Sequence, residues 1–397
     1  MLKAAAAYMI QGRRLPSWDL KLQVMCDVVR QYGIETFKET SDDDIHKLDY
    51  QAIHNRFRGR DVPKSQVQAK TGTYTTLSID PTDIDIDIDA IKGIGVAEQP
   101  LLELIQQYAA STADSAKQEL DYELVTTWGL CTKHGMGPDN HSAALQPDPL
   151  DKDEKILLCF HGGAYVMGSP ASHRETMAII SDLVHMRAFV IDYRLAPKHP
   201  FPAQLLDALV SVLYLMKRGF KPQNIVLVGD SAGGHLCIDL AMLMNHMKMD
   251  PVGAIVLICP MTAIDLKGPS LQSNRPFDYL HPYPHESPTS PIRLFYKPGH
   301  RYTEQYRKEL QDPLLTPING SLANFPPTLV QSGSKELLVD DIREFYDKLL
   351  KDNNGDASLM VYEEYPDMVH VFHRFHFRPE SAQAFEAISK FILDKVK

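Results

Sequence analysis

Short apolar runs alternate with longer segments of helical spacing through the second half of the chain. The runs predict buried strands at residues 156–160, 188–192, 224–228 and 253–259. The segments between them predict helices at residues 175–186, 203–218 and 234–247. Runs that are apolar on both faces are typical of parallel strands, because helices cover both sides of such a sheet. The alternation therefore predicts an α/β fold with a mostly parallel central sheet.

Later segments extend this sheet and also interrupt it. Two further strands are predicted at residues 327–331 and 358–365, and a closing helix at residues 379–396. Residues 261–325 break the alternation and are rich in proline, histidine, tyrosine and serine, as in the run 281–285. A loop of this length inside a compact domain usually serves as an active-site lid or a binding loop.

The first 120 residues carry a different pattern. Helical spacing predicts helices at residues 18–32 and 100–110, and we expect this segment to lie outside the sheet, which begins near Leu124. Residues 83–89 read Asp-Ile-Asp-Ile-Asp-Ile-Asp, and strict alternation predicts a strand with one apolar and one acidic face. The acidic face is typical of a solvent-facing edge. Calcium binding is the alternative, although a strand would space the carboxylates at about 6.5–7 Å.

A candidate nucleophile stands between a predicted strand and a predicted helix. Residues 229–233 read Gly-Asp-Ser-Ala-Gly, and this context is that of a G-x-S-x-G nucleophile elbow. The turn lifts the Ser231 hydroxyl above the sheet. Glycine stands on both sides because strand and helix approach too closely for side chains. The pattern predicts Ser231 as the nucleophile of an acyl-transfer reaction.

A glycine pair follows the first predicted strand, in His161-Gly162-Gly163-Ala164-Tyr165. Acyl transfer places negative charge on the carbonyl oxygen, and fixed N–H donors stabilise that charge. The backbone N–H groups of Gly162, Gly163 and Ala232 are therefore predicted to form an oxyanion hole. The alternative is an ordinary glycine-rich loop. We expect His161 to shape this loop rather than to act as a base.

A serine hydroxyl needs a general base, and the base needs an orienting acid. His370 lies in the loop after the last predicted strand, where it can reach Ser231 across the top of the sheet. His373 and His376 are its rivals, and a metal-binding histidine cluster is a further alternative. Nothing in the spacing organises a zinc site.

Three motifs in this order resemble the hormone-sensitive-lipase family of alpha/beta hydrolases. They are the His-Gly-Gly-[Gly/Ala] loop, the Gly-Asp-Ser-Ala-Gly elbow and, at residues 192–197, Asp-Tyr-Arg-Leu-Ala-Pro followed by Phe201-Pro202-Ala203 and Asp207. The resemblance covers about residues 120–397. It implies the alpha/beta hydrolase fold, with helices on both faces of the sheet and a mainly helical cap. The implied division is residues 1–120 as an N-terminal cap segment and residues 121–397 as the catalytic domain, with residues 261–325 inserted as a cap or lid.

The resemblance also implies the catalytic acid. The family pattern G-x-x-D-x-L-x-D matches residues 333–340, which places Glu336 at the acid position in the place of the usual aspartate. His370 matches the histidine of the family's H-x-F pattern. Asp340 and Asp341 are rival acids, although both look like first-turn helix acids that interact with the helix dipole.

Composition limits the partners. The net charge of −10 argues against nucleic acid or an anionic membrane as a partner. Among the five cysteines, Cys159 and Cys259 lie in apolar strand patterns and Cys237 in a helix, which favours free thiols and a reducing compartment. The apolar stretch at residues 4–10 is too short for a membrane span and lacks a cleavage site. We expect a cytoplasmic protein, with a peripheral membrane location and a homodimer both left open.

These features predict a serine carboxylic-ester hydrolase for small acyl esters of short to medium chain length, without metal or other cofactor. Deacetylation of a sterol or secondary-metabolite ester and hydrolysis of an amide or formamide are alternatives within the enzyme class. The aryl-formamidases have an H-G-G-x-W loop, where this chain has Tyr165. The non-enzyme alternative is a small-molecule receptor similar to the plant gibberellin receptors, in which the catalytic histidine position is replaced. The presence of His370 favours an enzyme.

Overall fold

The computed structural model describes residues 13–36, 49, 72–80, 84–110, 120–127, 144, 146–281 and 286–397. Within these residues eight strands form one sheet, in the order β1-β2-β4-β3-β5-β6-β7-β8. The strands are β1 Gly72–Ile79, β2 Leu120–Thr127, β3 Ile156–Phe160, β4 Arg187–Ile191, β5 Ile225–Asp230, β6 Ala254–Ile258, β7 Thr328–Gly333 and β8 Met360–Tyr365. β2 pairs antiparallel with β1 and with β4, and the other pairs are parallel. The predicted mostly parallel α/β sheet is confirmed.

The helices alternate with the strands as predicted, with ends shifted by a few residues. They are α1 Leu20–Thr36, α2 Glu98–Ala110, α3 Pro170–Val184, α4 Ala203–Lys217, α5 Ala232–His246, α6 Ser270–Ser273, α7 Pro291–Tyr296, α8 Glu304–Glu309, α9 Val339–Asp352 and α10 Pro379–Lys395. The largest shift is at α3, where Ser169 and Ser172 form a capping box and Pro170 occupies the first turn. These residues start the helix before its apolar periodicity begins.

Two hydrophobic cores lie on opposite faces of the sheet. Alternate residues of β3 enter different cores: Ile156, Leu158 and Phe160 join one, and Leu157 and Cys159 join the other. The first core also contains residues of α2, α4, α5 and α9, and the second those of α1, α3 and α10. Since both faces are covered, the carboxyl ends of the parallel strands are the edge at which a site can form.

The expectation that residues 1–120 lie outside the sheet is wrong for β1. This strand pairs with β2 over its whole length, from Gly72 opposite Thr127 to Ile79 opposite Leu120. Its sequence, Gly-Thr-Tyr-Thr-Thr-Leu-Ser-Ile, contains no continuous apolar run. The strand is stabilised by its pairing with β2 and by the burial of single side chains such as Tyr74 and Ile79. Scattered apolar residues of this kind predict a strand only weakly.

The prediction of a strand at residues 83–89 is also wrong for the described residues 84–89. Residues 84–87 form no strand, and a 3₁₀ helix spans Asp89–Ile91. The Asp87 carboxylate accepts hydrogen bonds from the N–H groups of Asp89 and Ala90, at 3.1 and 3.2 Å. This local bonding favours a turn over an extended chain. Asp83 lies outside the described residues.

The insertion at residues 261–325 contains α6, α7 and α8 and a 3₁₀ turn at Pro317–Asn319. Its apolar side chains, among them Leu294, Phe295 and Leu315, belong to the first core. Residues 282–285 of the predicted proline-rich run lie outside the described part. Within the described ranges, no helix combines the length and apolar character needed to cross a bilayer.

Candidate active site

Ser231 occupies the turn between β5 and α5 in a conformation that few residues adopt, with φ 54° and ψ −118°. The flanking glycines are required by close backbone approach. A Cβ on Gly229 would stand 2.2 Å from the Gly233 carbonyl oxygen, and a Cβ on Gly233 would stand 1.9 Å from the Phe160 carbonyl oxygen. The geometry is that of the nucleophile elbow predicted from the sequence, with backbone strain at its centre.

His370 connects Ser231 to Glu336. The His370 Nε2 atom lies 2.9 Å from Ser231 Oγ, and its Nδ1 atom lies 3.1 Å from Glu336 Oε2. Ser231 follows β5, Glu336 follows β7 and His370 follows β8, so three loops at the carboxyl ends of the strands bring the side chains together. A serine, an imidazole and a carboxylate in this order have the arrangement of a nucleophile, a base and an orienting acid.

Burial and charge act in opposite directions on this pair. Burial alone would lower the pKa of His370, but the hydrogen bond and charge of Glu336, with the charges of Asp278 and Asp230, raise it above its ordinary value. Burial raises the pKa of the Glu336 carboxyl, and the hydrogen bond and charge of His370 oppose that rise. The result is a base that holds its proton more firmly than a free histidine.

Cys259 lies directly behind the acid. It follows β6 with a φ of 45°, and its Sγ atom lies within 4.8 Å of a Glu336 carboxylate oxygen. Burial raises the pKa of the Cys259 thiol well above its ordinary value, so the group is a protonated thiol rather than a thiolate. Sequence reasoning assigned Cys259 only an apolar role, and its contact with Glu336 depends on the chain reversal after β6.

The rival histidines have other partners. His373 is buried, with its Nε2 atom 2.8 Å from Gln331 Oε1, and burial lowers its pKa to about 3. The His376 Nδ1 atom lies 3.0 Å from Glu175 Oε1. Both rings are therefore bonded to residues other than Ser231.

The rival acids hold the insertion. Asp340 accepts a hydrogen bond from the Ser270 N–H at 2.7 Å. Asp341 accepts those of Lys267 and Gly268 at 3.1 Å each. Both lie in the first turn of α9 as predicted, and neither is the carboxylate that bonds His370.

The loop at residues 161–165 does not present all the predicted donors. The Gly162 N–H donates to Asp230 Oδ1 at 3.0 Å, so it is already engaged and does not fit the role of an oxyanion donor in this conformation. A Cβ on Gly162 would stand 2.3 Å from Asp230 Oδ2, so the glycine serves this close approach. After it, Gly163, Ala164 and Tyr165 all have positive φ, at 126°, 53° and 63°. Three consecutive residues with positive φ bend the loop sharply at this point.

Two residues to which the sequence analysis gave no role fix this loop, namely Asp230 and His173. The buried Asp230 carboxylate receives the Gly162 N–H and lies 3.2 Å from His173 Nε2. Burial opposes ionisation of Asp230, but the His173 imidazole lowers the pKa of Asp230 below its usual range. The aspartate of the elbow motif was visible in the sequence, but its partner on α3 was not.

The Asp-Tyr-Arg-Leu-Ala-Pro motif supports the loop from the other side. The Tyr193 hydroxyl donates to the His161 carbonyl oxygen at 2.6 Å, and the two rings stack at 4.2 Å. Arg194 forms an ion pair with the buried Asp207 at 2.7 Å. These contacts place His161 in a shaping role, as expected from the sequence.

A metal centre is not favoured by the contacts of this site. Among the described residues, one group of His, Cys and acidic side chains brings its ligand atoms within 4.8 Å of one another, namely Cys259, Glu336 and His370. The His370 Nδ1 atom already bonds Glu336 Oε2, at 3.1 Å. The protonated thiol is a poor metal ligand, since the thiolate is the form that binds. The arrangement fits a chain of hydrogen bonds.

Comparison with known proteins places this geometry in a class. A family described as the alpha/beta hydrolase fold matches residues 157–374, more than half of the chain. An acetyl-hydrolase of Streptomyces hygroscopicus is 31% identical, over 64% of this chain and 80% of that protein. An esterase of Acinetobacter venetianus is 31% identical, over 60% of this chain and 74% of that protein.

A solved structure shows the same fold over nearly all of the chain. An esterase from the bacterial hormone-sensitive lipase family superimposes with a TM-score of 0.59 and 22% identity, over 94% of this chain and 98% of that one. The chain is an alpha/beta hydrolase. It is a carboxylesterase-like hydrolase, and the structural neighbour agrees with the resemblance to the hormone-sensitive-lipase family that its motifs carry.

Proposed function

We propose that this carboxylester hydrolase acts through Ser231 as nucleophile, His370 as general base and Glu336 as the orienting acid. The observation that supports this assignment is the continuous chain of hydrogen bonds from Ser231 Oγ through both nitrogens of His370 to Glu336. An imidazole bonded on both sides is fixed in ring orientation and tautomer.

The proposed reaction has two halves. His370 Nε2 accepts the proton of Ser231 as Oγ attacks the ester carbonyl carbon, and it then gives that proton to the leaving alcohol. An acyl ester on Ser231 remains. Water, deprotonated by the same imidazole, attacks that ester, and the carboxylic acid leaves as Oγ regains its proton. The Glu336 carboxylate stabilises the imidazolium that forms in each half.

We infer that Gly163 and Ala232 supply the oxyanion donors and that Gly162 serves instead to hold the loop. Ala232 is the first residue of α5, where backbone N–H groups have no partner within the helix and the helix dipole favours negative charge. Gly163 stands at the start of the left-handed turn. Asp230 fixes this turn through Gly162.

For the substrate we propose small acyl esters with acyl chains of about two to eight carbons, sizes that a confined pocket of about 300–1,000 Å³ encloses with the alcohol part. The acetyl-hydrolase among the relatives supports the short end of this range. A cap formed by the N-terminal segment outside β1, together with residues 261–325, would confine the acyl site. The mixed polar character of this insertion does not resemble an apolar lid suited to lipid surfaces.

A series of p-nitrophenyl esters from acetate to palmitate tests the proposal. We expect hydrolysis that is fastest at the short chains, and a fluorophosphonate probe should label Ser231, as peptide mass spectrometry would show. Comparable turnover of butyrate and palmitate would refute the substrate range. Absence of both hydrolysis and labelling would refute the serine mechanism and favour a binding protein.

A further inference from the structure

Asp278 is a buried carboxylate that no motif marks. It lies in the insertion, a few residues after α6, and its side chain has no exposed surface. A buried carboxylate is costly unless hydrogen bonds and charge stabilise it. The groups that donate hydrogen bonds to Asp278 therefore show which parts of the chain it connects.

Both loops of the acid–base pair donate to this one carboxylate. Oδ2 of Asp278 accepts the N–H of Leu337, the residue after Glu336, at 2.7 Å. Oδ1 accepts the N–H of His370 itself at 3.4 Å, and that of Leu280 at 3.4 Å. One side chain of the insertion thus fixes the backbone beside the acid and the backbone of the base.

A third segment holds Asp278 in turn. Its backbone carbonyl oxygen accepts a hydrogen bond from Arg30 Nε of α1 at 2.8 Å, and a second one from the same guanidinium. The insertion, α1 and the two triad loops therefore meet at this residue. Since each bond is directional, a shift of Asp278 moves the loops that carry Glu336 and His370.

Several charged and titratable groups surround this junction. Glu336 and His370 face Asp278 from the triad loops, Arg30 and Cys26 from α1, and Tyr279 from the insertion. Two further charges act without contacting Asp278. The charge of Asp230 raises the pKa of His370, and the charge of Arg374 lowers the pKa of Asp230 and of Tyr279.

The charge of Asp278 affects the pKa of His370, the proposed base. Its negative charge is one of those that raise the pKa of His370, after that of Glu336. Burial raises the pKa of Asp278 itself, and the imidazole of His370 opposes that rise.

We propose that Asp278 is a positioning residue of the hydrolytic site, which sets the spacing of Glu336 and His370 through their backbone and favours the imidazolium through its charge. This inference rests on the proposed triad. The Asp278 carboxylate bonds the backbone of Leu280, Leu337 and His370 rather than Ser231, so it acts through His370.

Asp278→Asn tests the proposal, because the amide has the shape of the carboxyl but lacks the charge and one acceptor. We expect kcat on p-nitrophenyl butyrate to fall about 10- to 100-fold with little change in KM, since small misplacements of catalytic groups have effects of this size. The acid limb of the kcat/KM profile should move down by about one pH unit, because a nearby negative charge no longer favours the imidazolium. Asp278→Glu should keep the limb at its wild-type position.

Asp341→Asn is the matched control, since Asp341 also accepts two backbone N–H groups of the insertion but does not bond His370. Its acid limb should stay in place. An unchanged kcat in folded Asp278→Asn, or a lower kcat with an unmoved limb, overturns the proposal. If Asp278→Asn does not fold, Arg30→Gln replaces it: a lower kcat at unchanged KM supports the proposal, and an unchanged kcat overturns it.

The failure of this inference can be separated from failure of the proposed function. Wild-type protein is labelled with a fluorophosphonate in the same experiment. If the wild type is labelled at Ser231 and hydrolyses the ester while Asp278→Asn behaves identically, the triad stands and only the positioning role is lost. If the wild type shows neither activity nor label, the triad assignment itself has failed.

Discussion

The nucleophile half of the site is held by the sheet and its own helices, whereas the acid–base half is held by segments outside them. Ser231 and the loop at residues 161–165 depend on Asp230 and on His173 of α3. The loops of Glu336 and His370 are fixed by the insertion, through Asp278, and by the N-terminal segment, through Trp18. The insertion and the N-terminal segment, which we proposed as a cap, therefore also fix the loops of the proposed base and its acid.

The largest expected effect is in the nucleophile half. Ser231→Ala should lower kcat by about 10⁶-fold, because the residues of a triad act as a unit and little remains when the nucleophile is lost. The fold should be unchanged, since the substitution removes one hydroxyl from a partly exposed turn. Ester hydrolysis and a thermal melt check both statements. Ser358→Ala, which removes a hydroxyl bonded to Asp356, is the control; retention of a few per cent of activity by Ser231→Ala would contradict the mechanism.

The next effect tests the acid–base half at its centre. Glu336→Gln should lower kcat by about 10⁴-fold, since the amide no longer fixes the tautomer and charge of His370. Asp340→Asn should have a small effect, because Asp340 bonds the Ser270 N–H and an exposed arginine instead. Steady-state kinetics on one short ester compares the kcat of the two variants. If Asp340→Asn proves the more damaging change, the acid has been assigned to the wrong residue.

A pH profile sharpens the electrostatic side of the comparison. His370 must be neutral to accept a proton, and its pKa is raised by Glu336, Asp278 and Asp230. Activity should therefore fall as the pH drops, with a midpoint above the ordinary value of about 6.5. Initial rates of ester hydrolysis, measured between pH 5 and 9, give kcat/KM as a function of pH and hence this midpoint. A midpoint below 6.5, or a flat profile, would show that the carboxylates do not act on the base.

The smallest effect is expected at the contact between the N-terminal segment and the histidine loop. The buried Trp18 donates from its indole nitrogen to the Asp367 carbonyl oxygen at 2.8 Å. Trp18→Phe keeps most of the packing but removes this bond, so it should cost about 1 kcal/mol of stability and lower kcat several-fold. Chemical denaturation and kinetics measure the two quantities. Ser17→Ala, which removes a bond to the Asp367 side chain, is the matched neighbour. An unchanged kcat in Trp18→Phe would mean that the histidine loop needs no support from the N-terminal segment.

The contrast between the nucleophile half and the acid–base half also explains which parts of the site could be predicted from the sequence. Strand, turn and helix around Ser231 are local, so apolar runs and glycines were enough to predict β5, α5 and the elbow. Glu336 and His370 were reached through a family pattern, and their hydrogen bonds fit that prediction. Asp278 and Trp18 could not be found, because their partners lie far away in the chain. The bond from Gly162 to Asp230, which argues against a donor role for Gly162, could not be foreseen because the sequence does not reveal that Asp230 approaches it. β1 was missed because its stability comes from pairing with β2.

The bond from Trp18 to the histidine loop also bears on how the protein loses activity on heating. Proteins open in parts, and segments with few buried contacts open at lower free energy than a central sheet. If α1 and the residues just before it detach first, the bonds from Trp18 to the Asp367 carbonyl and from Arg30 to Asp278 are lost while the five inner parallel strands stay paired. Hydrolysis would then cease at a temperature below that of the global melt, with early amide hydrogen exchange confined to α1 and the loops after β7 and β8.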